Sequence, residues 1–234
     1  MSLACFHLSK IYLGIRVMSK KFAMKQFGAV AATAIALVLS AASANAAPIT
    51  GLFATGVDGA GAALGGGATD THYSILAPSQ QGVVINIIPG TWVANNASRR
   101  WIWQDVLGQP VNVTRTFRTT FDLTGLDETT ALLSGQWAAD NTGLDIFING
   151  ASTGNSCGGF EVLCNFNIAS GFVAGINTLD FQVRDVGGIS GLLVSSLSGT
   201  ADENVTEVPE PGLVAIFGLG LIGLGIARRK TRRA

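Results

Sequence analysis

Few residues in the chain have types and spacings suited to catalysis. His72 is the only histidine of residues 47–207, so a histidine-based acid–base pair has one candidate. No Gly-x-Ser-x-Gly motif occurs and the glycine run 65–67 precedes no helical pattern, so neither a hydrolase elbow nor a phosphate loop is predicted. Asp140 and Asp145 form a carboxylate pair beside a turn, which we interpret as solvated surface. We therefore predict a non-enzymatic protein with no catalytic residue, cofactor or metal site.

An aromatic cluster offers a binding chemistry instead. The segment TWVANNASRRWIWQD places Trp92, Trp101 and Trp103 close together, and the last two share a strand face. One interpretation is a stacking platform for sugar rings, with Asn95 and Arg99 supplying hydrogen bonds, because aromatic faces with a few polar groups suit saccharides. The other interpretation is that the three indoles form part of the core.

The cysteines indicate a covalent crosslink. Cys157 and Cys164 are the two cysteines that follow residue 46. If the chain is exported, this even pair predicts a disulfide. Zinc would need more ligands than these two thiols and the distant His72.

The C-terminal segment VPEPGLVAIFGLGLIGLGIARRKTRRA has three parts. Pro209, Glu210 and Pro211 are followed by an apolar run, 212–227, and then by a basic end. As a helix, that run spans roughly 24 Å, close to a hydrocarbon core of about 30 Å. The order predicts a marginal transmembrane helix with its arginines on the cytoplasmic side.

Those three parts, in that order, resemble the PEP-CTERM sorting signal of Gram-negative bacteria. The resemblance covers residues 208–234. It implies recognition by an exosortase, a membrane transpeptidase-like enzyme, with cleavage near the Pro-Glu-Pro triplet and transfer to the cell surface or the medium. The alternative is a plain C-terminal anchor that no enzyme cuts.

The N-terminal region has the parts of a secretory signal. A lysine-rich start precedes an apolar stretch and a small-x-small sequence that ends at Ala46, so cleavage would leave Ala47 as the mature N-terminus. We assign residues 1–46 to a signal peptide with an over-extended leader, and expect translation to begin at Met18 or Met24. A first transmembrane helix is the alternative.

Charge is distributed in three zones. Basic residues fill both ends, whereas residues 58–210 contain five Arg, no Lys and all 15 acidic residues, a net charge of −10. An acidic middle repels phosphate backbones, so nucleic acid is excluded as a partner.

Period-two alternation dominates the middle, residues 47–207. In VNVTRTFRTTFDL an apolar set alternates with a polar set, and NTLDFQVRD repeats the pattern. GLDIFING places Leu144, Ile146 and Ile148 on one face and then turns at Asn149-Gly150, which is typical of a tight hairpin. Many short strands predict an all-β domain, an antiparallel β-sandwich.

The order of signals in the second half resembles the galactose-binding-like jelly roll, which occurs in many carbohydrate-binding modules. The resemblance covers about residues 73–200. It rests on the Trp137 strand, the Asp140-Asn141 turn, the Asn149-Gly150 hairpin and the Gly175-x-Asn177 segment.

Together these patterns predict an exported surface or matrix protein that is sorted by an exosortase and associates with exopolysaccharide or another glycan. The membrane is a transient partner through the C-terminal helix. A structural or adhesion protein without a sugar site is the alternative, and a glycan-active enzyme is a third class.

Overall fold

The computed structural model describes residues 45–204, 218–221 and 228, all within the compact unit Ala42–Ala234. Eleven strands form in the first of these ranges, because alternating apolar and polar residues bury one face of each strand. In chain order they are β1 Ala46–Pro48, β2 Thr69–Ile75, β3 Gln80–Val84, β4 Ile102–Trp103, β5 Thr114–Asp122, β6 Leu132–Asp140, β7 Thr142–Ile148, β8 Ala151–Ser152, β9 Cys164–Ile168, β10 Ile176–Arg184 and β11 Gly191–Asp202.

The strands pair antiparallel in the order β8-β7-β10-β5-β2-β3-β4-β11-β6-β9, and β1 adds to β11. Strands β10 and β6 are far apart in this order, yet Phe181 of β10 lies 5.6 Å from Trp137 of β6, measured between ring centroids. The sheet therefore curls over itself into two packed layers. From β5 to β7 and from β9 to β11, successive strands alternate between the layers, as in a jelly roll. The predicted antiparallel β-sandwich is confirmed.

Aromatic side chains fill the space between the layers. Phe181 is fully buried and contacts three other rings, those of Tyr73, Trp137 and Phe166. Trp103 packs on Phe117 with ring centroids 5.4 Å apart. The rings come from strands of both layers, and each buries a large apolar area. The cluster therefore stabilises the contact between the layers.

Two strand predictions are confirmed for their large apolar residues, whereas Asp180, expected on the outer face of β10, is 5% exposed. Phe117 and Phe121 of β5 and Leu179 and Val183 of β10 point into the core, as the alternation requires. The two strands pair along their full length, from Ile176 opposite Asp122 to Arg184 opposite Thr114.

The prediction for β7 was wrong at one residue. Ile146 and Ile148 are buried, but Leu144 is 37% exposed. The register with β10 shifts at this point, because Val183 pairs with Gly143 whereas Gln182 pairs with Asp145. This bulge inserts Leu144 as an unpaired residue and turns it away from the core. The hairpin that follows is as predicted, with positive φ angles at Asn149 and Gly150.

The residues around the predicted signal cleavage point form a strand. Ala46 pairs with Asp202 and Ala47 with Ala201, at the end of β11. If the chain is cleaved before Ala47, Ala47 and Pro48 can still pair with Ala201 and Thr200 of β11. Cleavage itself stays a prediction, and the remainder of the proposed signal peptide lies outside the described residues.

Candidate functional site

The three tryptophans of the predicted stacking platform lie in the core. Trp101 and Trp103 are 0% exposed and Trp92 is 5% exposed. Trp92 packs on Trp101 with ring centroids 4.3 Å apart. A sugar ring needs an open aromatic face, so none of these indoles can stack on a glycan in this structure. This corrects the platform interpretation in favour of its core alternative.

The polar residues assigned to the platform brace the surrounding loop instead. The side-chain oxygen of Asn95 accepts a hydrogen bond from the Trp101 backbone N–H at 3.0 Å. Arg99 donates from Nη1 to the Ser195 hydroxyl at 3.0 Å. The indole N–H of Trp101 donates to the Val93 carbonyl at 2.7 Å. These hydrogen bonds satisfy polar groups around a buried cluster, as burial requires.

A different surface has the chemistry of a saccharide site. We call it the polar groove: an open concavity of about 680 Å³ on the outer face of strands β6, β9 and β11, with one loop residue beside them. None of its lining residues is ionisable, and all except Gly135 and Phe166 carry a hydroxyl or amide side chain: Ser134, Gln136, Asn155, Asn165, Asn167, Ser196 and Ser198.

The sheet register places the groove side chains in rows. Ser134 lies opposite Asn167 and Gln136 opposite Asn165 across β6 and β9. Gln136 Nε2 donates to Asn165 Oδ1 at 2.9 Å. On the other side of β6, the Ser134 and Ser198 hydroxyls lie 3.5 Å apart.

A bulge shapes one wall of this groove. The pairing of β11 with β6 shifts register between Ser195 and Ser198, and Ser196 adopts a positive φ of 52°. Such a bulge bends the strand and re-aims its side chains. The groove therefore presents a curved array of donors and acceptors, which can pair with the hydroxyl groups of a polyhydroxylated ligand.

Sequence reasoning missed this groove, although a signal for it was present. Asn165 and Asn167 alternate with buried Phe166 and Ile168 in β9, and Ser134 and Gln136 are spaced by two in β6. Alternation reveals that these side chains point outward, but the adjacency of β6, β9 and β11 depends on long-range pairing.

A disulfide joins Cys157 to Cys164, with Cα atoms 5.6 Å apart. Cys164 begins β9, opposite Trp137, and Cys157 forms a bridge with Gly143 beside β7. The crosslink therefore holds the loop 158–163 between strands of both layers, next to the groove-forming strand β9.

Replacing Cys157 and Cys164 together by alanine is expected to lower the free energy of unfolding by about 2–3 kcal/mol, because a short loop is no longer closed in the unfolded chain. Urea unfolding of the double variant and the wild type under non-reducing conditions measures the difference. An unchanged midpoint would show that the crosslink contributes nothing to stability.

The carboxylate pair interpreted as solvated surface needs correction. Asp140 is 6% exposed and ends β6. Burial raises the pKa of the Asp140 carboxyl to about 6, and the negative charge of Asp185 adds to the shift. Asp145 instead accepts a hydrogen bond from the Ser152 hydroxyl. The two residues therefore occupy different environments.

Comparisons with known proteins bear on the end of the chain and on the middle. Residues 207–233 match the PEP-CTERM protein-sorting motif, which confirms the resemblance of the tail and indicates export and exosortase-dependent sorting to the cell surface or extracellular space. No curated protein matches the chain significantly. The solved structure of CBM35 from Paenibacillus barcinonensis is similar at 13% identity and a TM-score of 0.34, over 54% of this chain and 92% of that chain. This likeness is too distant to indicate the fold or the function of this chain. The fold class is therefore assigned from the strand pairing of the chain itself.

The sorting residues Pro209, Glu210 and Pro211 and most of the predicted helix 212–227 lie outside the described residues. Within the described part of the chain, no helix has the length and hydropathy needed to cross a membrane.

Proposed function

We propose that this protein is released at the cell surface after sorting and there associates with a neutral exopolysaccharide, without catalysing a reaction. The observation that carries the glycan part is the polar groove, whose lining offers many hydrogen-bonding side chains and no charge. Sugar hydroxyls both donate and accept, and serine, asparagine and glutamine side chains match them in both roles.

Charge restricts the class of glycan. Residues 58–210 carry 15 acidic residues against five arginines. A polyanionic polysaccharide would be repelled by this field at low ionic strength, whereas a neutral polymer would not. We therefore expect a neutral polysaccharide in the groove.

Processing at the membrane would precede release. In this proposal the apolar segment 212–227 holds the chain in the inner membrane of a Gram-negative host, with the basic end inside. An exosortase-type enzyme then acts near Pro209, Glu210 and Pro211. The matched sorting motif supports this order of events.

A structural or adhesion protein without a sugar site is the second candidate. The burial of Trp92, Trp101 and Trp103 favours it, since the aromatic platform expected from the sequence is absent from the described surface. The two candidates differ in one property, specific retention by a polysaccharide.

Affinity electrophoresis separates these candidates. The released protein is run in gels that contain neutral polysaccharides, such as a glucan, a mannan or a galactan, and in gels that contain a polyanionic one. We expect retardation by at least one neutral polymer and none by the polyanion. Unchanged mobility in every gel would support the structural alternative.

A further inference from the structure

A second, smaller cavity adjoins the polar groove at the edge of the sandwich. We call it the end cleft: it has a volume of about 210 Å³ and is lined by Ile148, by residues 151–153 and by residues 167–171. Asn167 lines both the end cleft and the polar groove. Asn155 of the groove donates from Nδ2 to the Thr153 hydroxyl of the end cleft at 2.9 Å. The two concavities therefore meet at Asn167.

Two segments of the chain form the walls of the end cleft. One wall is β8 with the flanking residues Ile148 and Thr153, and the other is the end of β9 with the loop that follows it. At the groove side the walls begin with Thr153 and Asn167. At the opposite side they touch, because a Cβ atom added to Gly171 would lie 2.6 Å from Ile148 Cγ2. The end cleft is therefore closed at the side away from the groove.

Side-chain hydrogen bonds hold the closed side in place. Asn149, in the turn after β7, donates from Nδ2 to the Gly171 carbonyl at 2.9 Å and to Asn177 Oδ1 at 2.7 Å. Its Oδ1 accepts from the Thr178 backbone N–H at 2.9 Å. These bonds fix the loop after β9 to the hairpin and to β10. A ligand would thus enter a preformed cavity and would not have to order a loop, which favours binding.

The lining of the end cleft offers uncharged hydrogen-bonding groups. Asn167 and Ser170 are exposed, and their side chains make no hydrogen bond within residues 45–204. The hydroxyls of Ser152 and Thr153 donate to other groups of the protein, so they are available as acceptors. No lining residue is ionisable. This set of free donors and acceptors matches the hydroxyl groups of a neutral sugar residue.

We propose that the end cleft binds the terminal residue of a neutral, linear glycan whose preceding residues lie in the polar groove. The inference rests on the proposed function and narrows it, because a cavity closed on one side admits the end of a chain and not its middle. The groove, at about 680 Å³ against about 210 Å³, takes the longer part of the ligand. Asn167 contacts the terminal sugar residue and the one before it.

Calorimetric titration of the released protein with a short and a long size fraction of one linear polysaccharide tests this proposal. The polymer is the neutral glucan, mannan or galactan that retards the protein. Recognition of a chain end predicts one protein molecule bound per polysaccharide chain in both fractions. Recognition of internal residues predicts a number that increases with chain length. Such an increase would overturn the inference and leave the proposed function in place.

Ala169→Phe provides a second test, because it fills the end cleft from an exposed position and leaves the side chains of the groove unchanged. It should weaken binding of both fractions about tenfold or more, since the hydrogen bonds of the terminal residue are lost. Ala60→Phe is the matched control, an exposed alanine that lines neither cavity, and it should bind like the wild type.

The outcomes of the two tests separate the inference from the proposed function. Equal affinities for Ala169→Phe and the wild type would overturn the inference alone. A wild type that binds no neutral polysaccharide would overturn it together with the proposed function.

Discussion

Replacing Pro209, Glu210 and Pro211 together by alanine is expected to leave the protein in the membrane fraction and to abolish its release. Proline disfavours helix and has no backbone donor, so the two prolines are expected to favour an extended triplet that an enzyme can reach. An enzyme that reads the triplet requires such an accessible strand, whereas a simple anchor requires only hydrophobicity. Fractionation of the native host into membrane, surface and medium measures the effect.

The control variant replaces Val205 and Thr206 by alanine, because both residues precede the sorting motif of residues 207–233. This control should be released like the wild type. If the triple-alanine variant is released equally well, then the triplet is not read by a processing enzyme, and the tail acts as an anchor alone.

Replacing Phe181 by alanine should produce the largest loss of stability of any single change considered. The ring is fully buried and contacts Tyr73, Trp137 and Phe166, so it links β10 with β2, β6 and β9. Truncating a buried phenylalanine costs about 3–5 kcal/mol, which is a large part of the 5–15 kcal/mol that stabilises a typical domain. Urea unfolding followed by near-ultraviolet circular dichroism measures this change.

Gln182→Ala provides the comparison for Phe181→Ala, since its side chain lies on the opposite face of the same strand. Its cost should stay within about 0.5 kcal/mol. Equal losses for the two variants would contradict the assignment of Phe181 to the centre of the core.

Much of the fold was predictable because burial imposes a period of two on a strand. The alternation in β5 and β10 predicted which residues face the core, and the Asn149-Gly150 pair predicted the hairpin. Leu144 was not predictable in the same way. The bulge that exposes it arises from the register between β7 and β10, which is a property of pairing between distant segments and not of local pattern.

The candidate site was predicted less well, for a related reason. Tryptophan is suited both to a core and to a sugar platform, and the local sequence of Trp101 and Trp103 is the same in either case. Only the packing of β4 against Phe117 and the neighbouring strands decides for the core. Asp140 shows the converse error, because a turn residue expected in solvent is buried by the segments around Asp185.

Calorimetric titration with the neutral polysaccharide that retards the protein tests most directly whether the polar groove binds glycan. Wild-type protein should bind saturably, and Gln136→Ala with Asn165→Ala should weaken binding about tenfold or more. Two lost hydrogen bonds of about 0.5–1.5 kcal/mol each account for that factor. Thr116→Ala with Gln182→Ala changes an equivalent cross-strand pair in the other layer and should bind like the wild type. Equal affinities for both double variants would place the glycan elsewhere and contradict the account.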